Sequence, residues 1–494
     1  MKELLLTLPV DSRAIYLRIA DAMRTAIMQG RLEPGSRIPS TRRLAMQLDV
    51  HKHTVLAAME ELVAQGWVVA FPRSSFRVHP APPKSILPPA GQDEHCNAER
   101  FDWGHRARVE IFSDNPNFPY KASGIRFNFS YDGPDVRLLP VDEIQHALRR
   151  AGRSKSGAVL GYGSAEGVPS FREMIGVYLQ RLRAIRGREI LVTNGSTEGI
   201  LMVALLLLGS GKRVVMDRLC FTPIHELFRM TQTEICAMPM DTDGTDPNAL
   251  ETELRKRGAD LIYLTPLHHY PTTSITPPDR RKAIYGIAAK YGVPILEDDY
   301  DHEFHYSGDP LAPMASNDPL GLVVYCSTFS KSAFPGARLG YLAVPSALVT
   351  PLSKIRRCTT WQVNGLIQQA MANWMEDGGF ERHIARTRTI YQRRMAHMVA
   401  HLETLKSGAL PELRFRVPDG GLALWLDTGR NSSAIAHRGI KQGVRVTSEE
   451  SCSITPHSIR RHLRLAYAGM TEEETRAGLD LLATALAEAP CLPV

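Results

Sequence analysis

The stretch VVYCSTFSKSAFPGARLGY, residues 323–341, decides how the whole chain is interpreted. Its first three residues are apolar and precede a polar turn, which indicates the end of a buried β-strand. The turn carries Lys331, with Thr328 and Ser330 before it and Arg338 seven residues after it. A lysine in this setting can form an imine while the hydroxyls and the planar guanidinium hold a phosphate. Taken alone, the motif favours this chemistry only modestly over a solvated surface lysine, which is the usual place of a lysine.

A second stretch, PILEDDY at residues 294–300, favours the chemical interpretation. It predicts a strand that ends in carboxylates, and Asp298 lies thirty-three residues before Lys331. A carboxylate there can keep a pyridine nitrogen protonated, and Tyr300 can hydrogen-bond a ring hydroxyl; the alternative is a capping aspartate beside a half-buried tyrosine. Pyridoxal 5'-phosphate (PLP) needs a Schiff-base lysine, a partner for its ring nitrogen and a phosphate site, so the two stretches together point to this cofactor.

Together these motifs resemble the fold-type I aminotransferases, and more closely the aminotransferase-like half of the MocR branch of GntR regulators. The resemblance is carried by EDDYDHEFHYSG (297–308) and TFSKSAFPGARLGY (328–341). It implies an α/β fold with a mostly parallel sheet in a large domain and a smaller α+β C-terminal domain. Alternating strand-like and helix-like segments from about residue 125 to about residue 360 predict the same α/β class.

Length and composition are compatible with this interpretation. A chain of 494 residues is too long to fold around a single hydrophobic core, so two or three domains are expected. Its content of 44% hydrophobic and 7% aromatic residues is typical of a soluble globular protein. The longest apolar run, residues 200–208, is too short to cross a bilayer and predicts a buried helix. We see no secretory signal. Seven scattered cysteines without a C-x-x-C pair suit a reducing cytosol, so a cytoplasmic location without structural disulfides or zinc is expected.

The first 79 residues predict a winged helix-turn-helix domain, whose second motif helix enters the major groove of DNA. A helix is expected over residues 15–28, with an apolar stripe of Ile15, Ile19, Met23, Ala26 and Ile27. Ser40 is expected to cap a helix from Thr41 to Leu48. A further helix from about His51 to Gln65 would bury Val55, Met59, Leu62 and Val63, and two short wing strands follow at Trp67–Ala70 and Phe76–Val78.

Polar and basic side chains lie where such a domain contacts DNA. The candidates are Arg42, Arg43, His51, Lys52, His53 and Thr54. Residues 1–78 contain eleven Lys and Arg against seven Asp and Glu in a chain of net charge +7, although a basic small domain can also be simply solvated. Residues 30–67 resemble the GntR-type winged helix almost throughout. The wing tip, Pro72 to Ser75, lacks the family's glycines, so the wing is expected to touch the minor groove differently or less.

A proline-rich segment separates this domain from the rest of the chain. Residues 80–89 contain five prolines, which predicts a stiff spacer within a linker at 80–124. The aminotransferase-like domain is expected at 125–494, with a large domain at about 160–360 and a small domain at about 361–494 together with 125–159.

The resemblance implies further binding residues. Asn194 and Gly195 open an apolar helix, a turn suited to phosphate, and Ser196 and Thr197 occupy the cradle positions by resemblance. Tyr162 matches a tyrosine that reaches the neighbouring subunit's phosphate, Phe221 a ring-stacking residue, and Arg464 the arginine that binds an α-carboxylate. Tyr270 stands where aminotransferases have Asn-Pro-x-Gly; it either approaches the ring oxygen or packs within its loop. His268, His269, His302 and His305 fit this pattern, so no metal site is expected.

Two functions are compatible with these residues. In the first, the protein is a homodimeric transcriptional regulator with exchanged N-terminal domains. It binds double-stranded operator DNA and senses an amine or amino acid, or PLP itself, through an aldimine at Lys331. In the alternative, it is an active aminotransferase carrying a winged helix, and freed Lys331 transfers the substrate proton. The basic helix-turn-helix favours regulation.

Overall fold

The computed structural model of the protein describes residues 6, 8–9, 11–72, 75–83, 124–153, 159–455 and 460–490. The chain divides into two units, Met1–Ala107 and Arg108–Val494. Most of the predicted linker (residues 84–123), Arg73 and Ser74 of the wing tip, and Cys96 and Cys491 lie outside the described residues.

The N-terminal unit is a winged helix, as predicted. Its elements are α1 Ile15–Met28, α2 Thr41–Gln47, α3 Lys52–Ala64, β1 Val68–Phe71 and β2 Ser75–Val78. The two strands form an antiparallel hairpin. Ser40 caps α2 because its side chain accepts a hydrogen bond from the backbone N–H of Arg43, a donor that would otherwise have no partner in the helix.

Two of the predicted core positions in this unit are wrong. Ile15 is 46% exposed and Val63 is 37% exposed, whereas Ala58 is fully buried. Residues 55, 58, 59 and 62 follow the i, i+3, i+4, i+7 spacing of one helix face, and Val63 lies one position beyond it. Ile15 is the first residue of its helix, and the buried stripe begins with Ile19.

The second unit contains both strands and helices. The strands are β3 Phe127–Asn128, β4 Glu189–Thr193, β5 Arg213–Asp217, β6 Glu234–Met238, β7 Met240–Asp241, β8 Gly244–Thr245, β9 Leu261–Leu264, β10 Ile295–Asp298, β11 Val323–Thr328, β12 Gly340–Val344, β13 Arg414–Phe415, β14 Ala423–Asp427, β15 Val444–Arg445, β16 Thr447–Ser448 and β17 His462–Ala466. The helices are α4 Val141–Gly152, α5 Pro169–Arg183, α6 Ser196–Leu207, α7 Thr222–Met230, α8 Pro247–Arg257, α9 Pro278–Tyr291, α10 Val349–Thr359, α11 Gly365–Glu376, α12 Gly379–Ser407, α13 Ser432–Lys441 and α14 Glu472–Ala487. In the part of the chain that the structure describes, no helix is both long enough and apolar enough to cross a membrane.

The large sheet has the order β4-β12-β11-β10-β9-β5-β6. Its strands are parallel except for β12, which runs against both neighbours. The central strands are buried along their whole length, as expected for a sheet covered on both faces. Because the carboxyl ends of the parallel strands meet at one edge, Thr193, Asp298 and Thr328 are brought to that edge together.

The smaller sheet is antiparallel, with the order β13-β14-β17-β16, and strand β17 carries Arg464. The segment before α4 is tied to this part of the unit. Strand β3 pairs with β15, and the backbone N–H of Ala466 donates to the carbonyl of Phe129 at 2.8 Å. The predicted fold class, a winged helix joined to a mostly parallel large sheet and a smaller α+β part, is therefore confirmed.

Candidate functional site

Lys331 lies in the turn that follows β11, at the carboxyl edge of the large sheet. The Thr328 hydroxyl oxygen is 3.0 Å from the Ser330 hydroxyl and accepts a hydrogen bond from the Ser330 N–H at 3.1 Å. Arg338 has a left-handed backbone, φ 49°, and its Nη2 donates to the Asn194 carbonyl at 2.9 Å. The turn around Lys331 is thereby joined to the turn that opens α6.

Two glycines pack against each other beside this arginine. A Cβ at Gly340 would lie 2.6 Å from the carbonyl carbon of Gly195, and one at Gly195 would lie 3.1 Å from Arg338 Nη2. Gly195 precedes α6 and has no capping side chain, so Ser196 and Thr197 present the first-turn N–H donors of the helix. A helix N-terminus beside a guanidinium, kept open by two glycines, has the chemistry of a phosphate cradle.

Asp298, at the end of β10, is buried and only partly satisfied. Its Oδ2 accepts a hydrogen bond from the Tyr263 hydroxyl at 2.8 Å, while Oδ1 is buried without a hydrogen-bond partner among the described residues. Burial, reinforced by the neighbouring Asp299 and Asp301, raises the pKa of Asp298 to about 7 despite the Tyr263 bond. A buried oxygen without a partner is costly, so this side chain fits a donor such as a protonated ring nitrogen.

The acids on either side of Asp298 have structural partners. Glu297 accepts hydrogen bonds from the backbone N–H groups of Met314 at 2.9 Å and Ala315 at 3.0 Å. Asp299 pairs with Arg183 at 2.6 Å. Burial opposes ionisation of Asp299, but Arg183 prevails and the pKa of that carboxyl falls to about 2. Asp299 Oδ1 is also buried without a hydrogen-bond partner among the described residues, but the charge of that carboxylate is matched by Arg183. Of the three consecutive acids, Asp298 is therefore the candidate for a ligand.

Asp132 is a site residue that the sequence analysis missed. Its Oδ1 accepts a hydrogen bond from Lys331 Nζ at 2.8 Å, and its Oδ2 lies 3.1 Å from Arg464 Nη2. Burial disfavours the charged carboxylate, but the two cations outweigh it and lower the pKa of Asp132 to about 2. The three residues come from a loop, a turn and a strand far apart in the chain, so no local pattern signals their meeting.

Aromatic rings surround this charged group. The Arg464 guanidinium carbon is 4.5 Å from the centre of the Tyr270 ring, and Tyr270 meets Phe221 edge-to-face at 5.1 Å. Lys331 Nζ is 5.9 Å from the centre of the Tyr300 ring. The Tyr300 hydroxyl donates to the carbonyl of His268 at 2.8 Å. The structure thus brings Lys331, Asp298, Tyr300, Tyr270, Phe221 and Arg464 to one region of the second unit.

Tyr162 is placed differently from the other predicted cofactor residues. The residue is 88% exposed, and its ring meets that of Trp361 edge-on with the ring centres 5.7 Å apart. The predicted contact of this side chain is with a second subunit, so its exposure in one chain is compatible with that prediction.

Each of the four histidines near these motifs has a protein side chain or a backbone carbonyl as a hydrogen-bond partner. His268 bonds Asp301 at 2.6 Å, His269 bonds Thr272 at 2.8 Å, His302 bonds Tyr178 at 3.2 Å and His305 bonds the Gly308 carbonyl at 3.1 Å. Among the residues that the structure describes, no three or more His, Cys, Asp or Glu side chains form a group that could hold a metal ion.

The predicted DNA-contacting residues lie on the surface of the N-terminal unit. Arg42, Arg43, His51, Lys52 and His53 are exposed and Thr54 is half-buried. The rings of His51 and His53 stack with their centres 5.2 Å apart at the start of α3. Positive and polar groups are therefore available at the end of the helix that reads DNA in winged helix-turn-helix domains.

Two family models match the chain. The model of aminotransferase class I and II matches residues 130–482, and the model of bacterial regulatory proteins of the gntR family matches residues 15–78. The first match covers the site around Lys331, and the second covers the winged helix.

The chain is similar to transcriptional regulators over most of its length, and to solved aminotransferase structures in fold. The HTH-type transcriptional regulator TauR of Rhodobacter capsulatus is 28% identical, over 97% of this chain and 98% of that protein. The probable rhizopine catabolism regulatory protein MocR of Rhizobium meliloti is 25% identical, over 78% of this chain and 76% of that protein. The crystal structure of kynurenine aminotransferase from Pyrococcus horikoshii covers 78% of this chain and 99% of its own, with 24% identity and a TM-score of 0.69, a likeness in fold.

Proposed function

Because the chain belongs to the aminotransferase class I and II family and carries a gntR-family winged helix, the combination of the MocR-type regulators, we propose that it is a PLP-dependent transcriptional regulator. Its ligand would be a small molecule with a primary amine, or PLP itself. The observation that supports this best is the grouping of Lys331, the partly satisfied Asp298 and the glycine-lined cradle in one unit. The other unit is a DNA-binding fold.

The residues of this site fit PLP. Lys331 would carry the cofactor, and the free Oδ1 of Asp298 would accept the hydrogen bond of a protonated ring nitrogen. Arg338, with Ser196 and Thr197 at the start of α6, would hold the phosphate, assisted by the hydroxyls of Thr328 and Ser330. When bound, PLP supplies an electron-accepting ring and an aldehyde carbon that exchanges between primary amines.

The aromatic residues have proposed roles around the ring. Phe221 would lie against the ring face, and Tyr300 would turn its hydroxyl to the ring oxygen, with Tyr270 as a second candidate for that oxygen. Arg464 would orient the ligand from the side of the small sheet. In a homodimer, the exposed Tyr162 would reach the phosphate bound by the partner subunit.

Regulation would combine this site with the winged helix. Helix α3 would enter the major groove of the operator, with His51, Lys52, His53 and Thr54 near the bases, while Arg42 and Arg43 would contact phosphates. The ligand changes DNA binding only if its affinity differs between two conformations of the dimer. We expect those conformations to differ in the spacing of the exchanged N-terminal domains.

A gel-shift experiment tests this function. The DNA upstream of the protein's own gene is titrated with wild-type protein, with and without PLP, and with Lys331→Ala. We expect competitor-resistant binding that changes at least threefold with PLP, and no such response in Lys331→Ala. The exposed lysine of α10 provides the control, because Lys354→Ala removes the same charge away from the site and should respond like the wild type.

Two outcomes would contradict the proposal. The first is binding that is sequence-blind and steeply salt-dependent on this DNA and on other candidate operators. The second is sustained transamination at enzyme-like rates with a panel of amino donors, which would indicate a working aminotransferase.

A further inference from the structure

Asp132 places a carboxylate of the protein itself between the two cations of the site. It lies 2.8 Å from Lys331 Nζ and 3.1 Å from Arg464 Nη2, so it occupies the side of Arg464 that faces Lys331. In the role that the resemblance gives Arg464, a ligand's α-carboxylate would take this place. The structure shows the place taken by Asp132.

The loop that carries Asp132 is fixed on both sides. Before it, Ser130 donates its N–H to the Asn128 side chain at 3.1 Å, next to the paired strand β3. After it, the buried Asp135 forms an ion pair with Arg394, with 2.9 Å between Oδ2 and Nη2. The backbone N–H of Asp135 also donates to the Tyr391 hydroxyl at 3.0 Å. A short segment anchored at both ends holds its central side chain in place, so Asp132 is a built part of the site.

The backbone next to Asp132 is also constrained. A Cβ at Gly133 would lie 2.2 Å from the Tyr131 ring, and one at Gly469 would lie 3.3 Å from the same ring. The Tyr131 ring therefore covers Gly133 and lies against Gly469. Moving Asp132 away from Arg464 would disturb this packing as well as two ion pairs.

We infer that Asp132 makes the pocket selective for primary amines without an α-carboxylate, because its own carboxylate fills the place beside Arg464 that an amino acid would need. The inference rests on the proposed function, since it concerns the ligand of that same site. The inference narrows the class of ligand from all primary amines to those that have no carboxylate on the carbon that bears the amine.

Electrostatics favours this class of ligand in two ways. An α-carboxylate would share one guanidinium with Asp132, and two carboxylates held close together in a buried site repel each other. A simple amine leaves the pair of Asp132 and Arg464 intact. Its ammonium group is also attracted by Asp132 Oδ1, which lies next to Lys331, where the amine must arrive.

A matched pair of ligands tests the inference. The PLP-loaded full-length protein is titrated calorimetrically with n-butylamine and with L-norvaline, which is the same chain with a carboxylate on the carbon that bears the amine. We expect wild-type protein to bind n-butylamine at least tenfold more tightly. In Asp132→Asn, which keeps the shape and removes the charge, this preference falls at least tenfold, mainly because norvaline binds more tightly.

The controls separate this inference from the proposed function. Released PLP is quantified first, and protein that retains no PLP contradicts the proposed function. With PLP present, the inference is overturned if the wild type binds norvaline as tightly as n-butylamine, if it binds neither, or if Asp132→Asn leaves the ratio unchanged. Asp142→Asn, an exposed carboxylate at the start of α4, should keep the wild-type ratio. The wild-type ratio tests the inference even if a variant misfolds.

Discussion

At the scale of single residues, Asp298 makes the stability of the folded protein depend on pH. Its pKa is raised to about 7, and the first cause is burial. An aspartate in an unfolded chain titrates near ~4, so between these values the folded protein holds a proton that the unfolded chain has released. The stability contributed by this proton is present at low pH and is lost as the pH rises through about 7.

Replacing Asp298 by asparagine should flatten this pH dependence. In the cofactor-free protein, the free energy of unfolding should fall between about pH 5 and about pH 7 more steeply in the wild type than in Asp298→Asn, by up to about 1.4 kcal/mol per pH unit. Urea unfolding at several pH values measures the two slopes. Asp279→Asn, an exposed carboxyl at the start of α9, should keep the wild-type slope, and equal slopes in all three proteins would refute the prediction.

Single residues of the site differ in how far the sequence predicts them. Lys331 and Asp298 follow strand signals directly, so their place at the sheet edge could be predicted from a few neighbouring residues. Asp132 has a hydrogen-bond partner 199 residues away and stands in no periodic segment. Such a contact depends on how two distant segments pack, and local patterns carry no information about it.

At the scale of elements, the contact between strand β12 and the start of α6 forms the proposed phosphate site. Gly340, the first residue of β12, packs on Gly195 with no room for a methyl group. We expect Gly340→Ala to push the turn at Gly195 away and to weaken PLP binding at least tenfold, because the N–H donors of α6 lose their position. PLP affinity, measured by fluorescence titration of the cofactor-free protein, checks this.

A second glycine-to-alanine change provides the control. Gly286 lies inside α9, where an added Cβ meets nothing within 4 Å. Gly286→Ala should therefore leave PLP affinity unchanged and stabilise the protein by about 1 kcal/mol through helix propensity. If Gly340→Ala bound PLP like Gly286→Ala, the two glycines would not shape the phosphate site.

Elements were predictable where a local period exists. The apolar spacing of α1 and α3 located both helices to within one or two residues, and the mostly parallel sheet followed from alternating strand-like and helix-like segments. The reversed direction of β12 did not follow, because a fully buried strand has the same apolar residues in either direction.

At the scale of the whole molecule, we expect a homodimer in which each subunit completes the other's site. Tyr162→Phe removes only the hydroxyl proposed to reach the partner's phosphate. Losing one hydrogen bond to a charged group costs about 1.5–3 kcal/mol, so PLP affinity should fall roughly tenfold or more. Tyr291→Phe, a half-buried tyrosine at the end of α9, is the matched control and should bind PLP like the wild type.

Mixed dimers distinguish a contact between subunits from one within a subunit. When Tyr162→Phe and Lys331→Ala chains are co-expressed, the intact Lys331 belongs to the chain that lacks the Tyr162 hydroxyl. If Tyr162 acts across the interface, the Lys331→Ala partner supplies that hydroxyl and wild-type affinity returns. Affinity that stays as low as in the Tyr162→Phe homodimer would show that Tyr162 acts within its own chain.

The contact between Gly195 and Gly340 also limits which second-site mutations can compensate for a substitution at either glycine. A substitution that enlarges one residue of a packed pair can be relieved by a smaller residue at the other position. Here both positions already have no side chain, so neither can compensate for a change at the other. Selection for revertants of Gly340→Ala should therefore restore the glycine codon at 340 and yield no suppressor at 195.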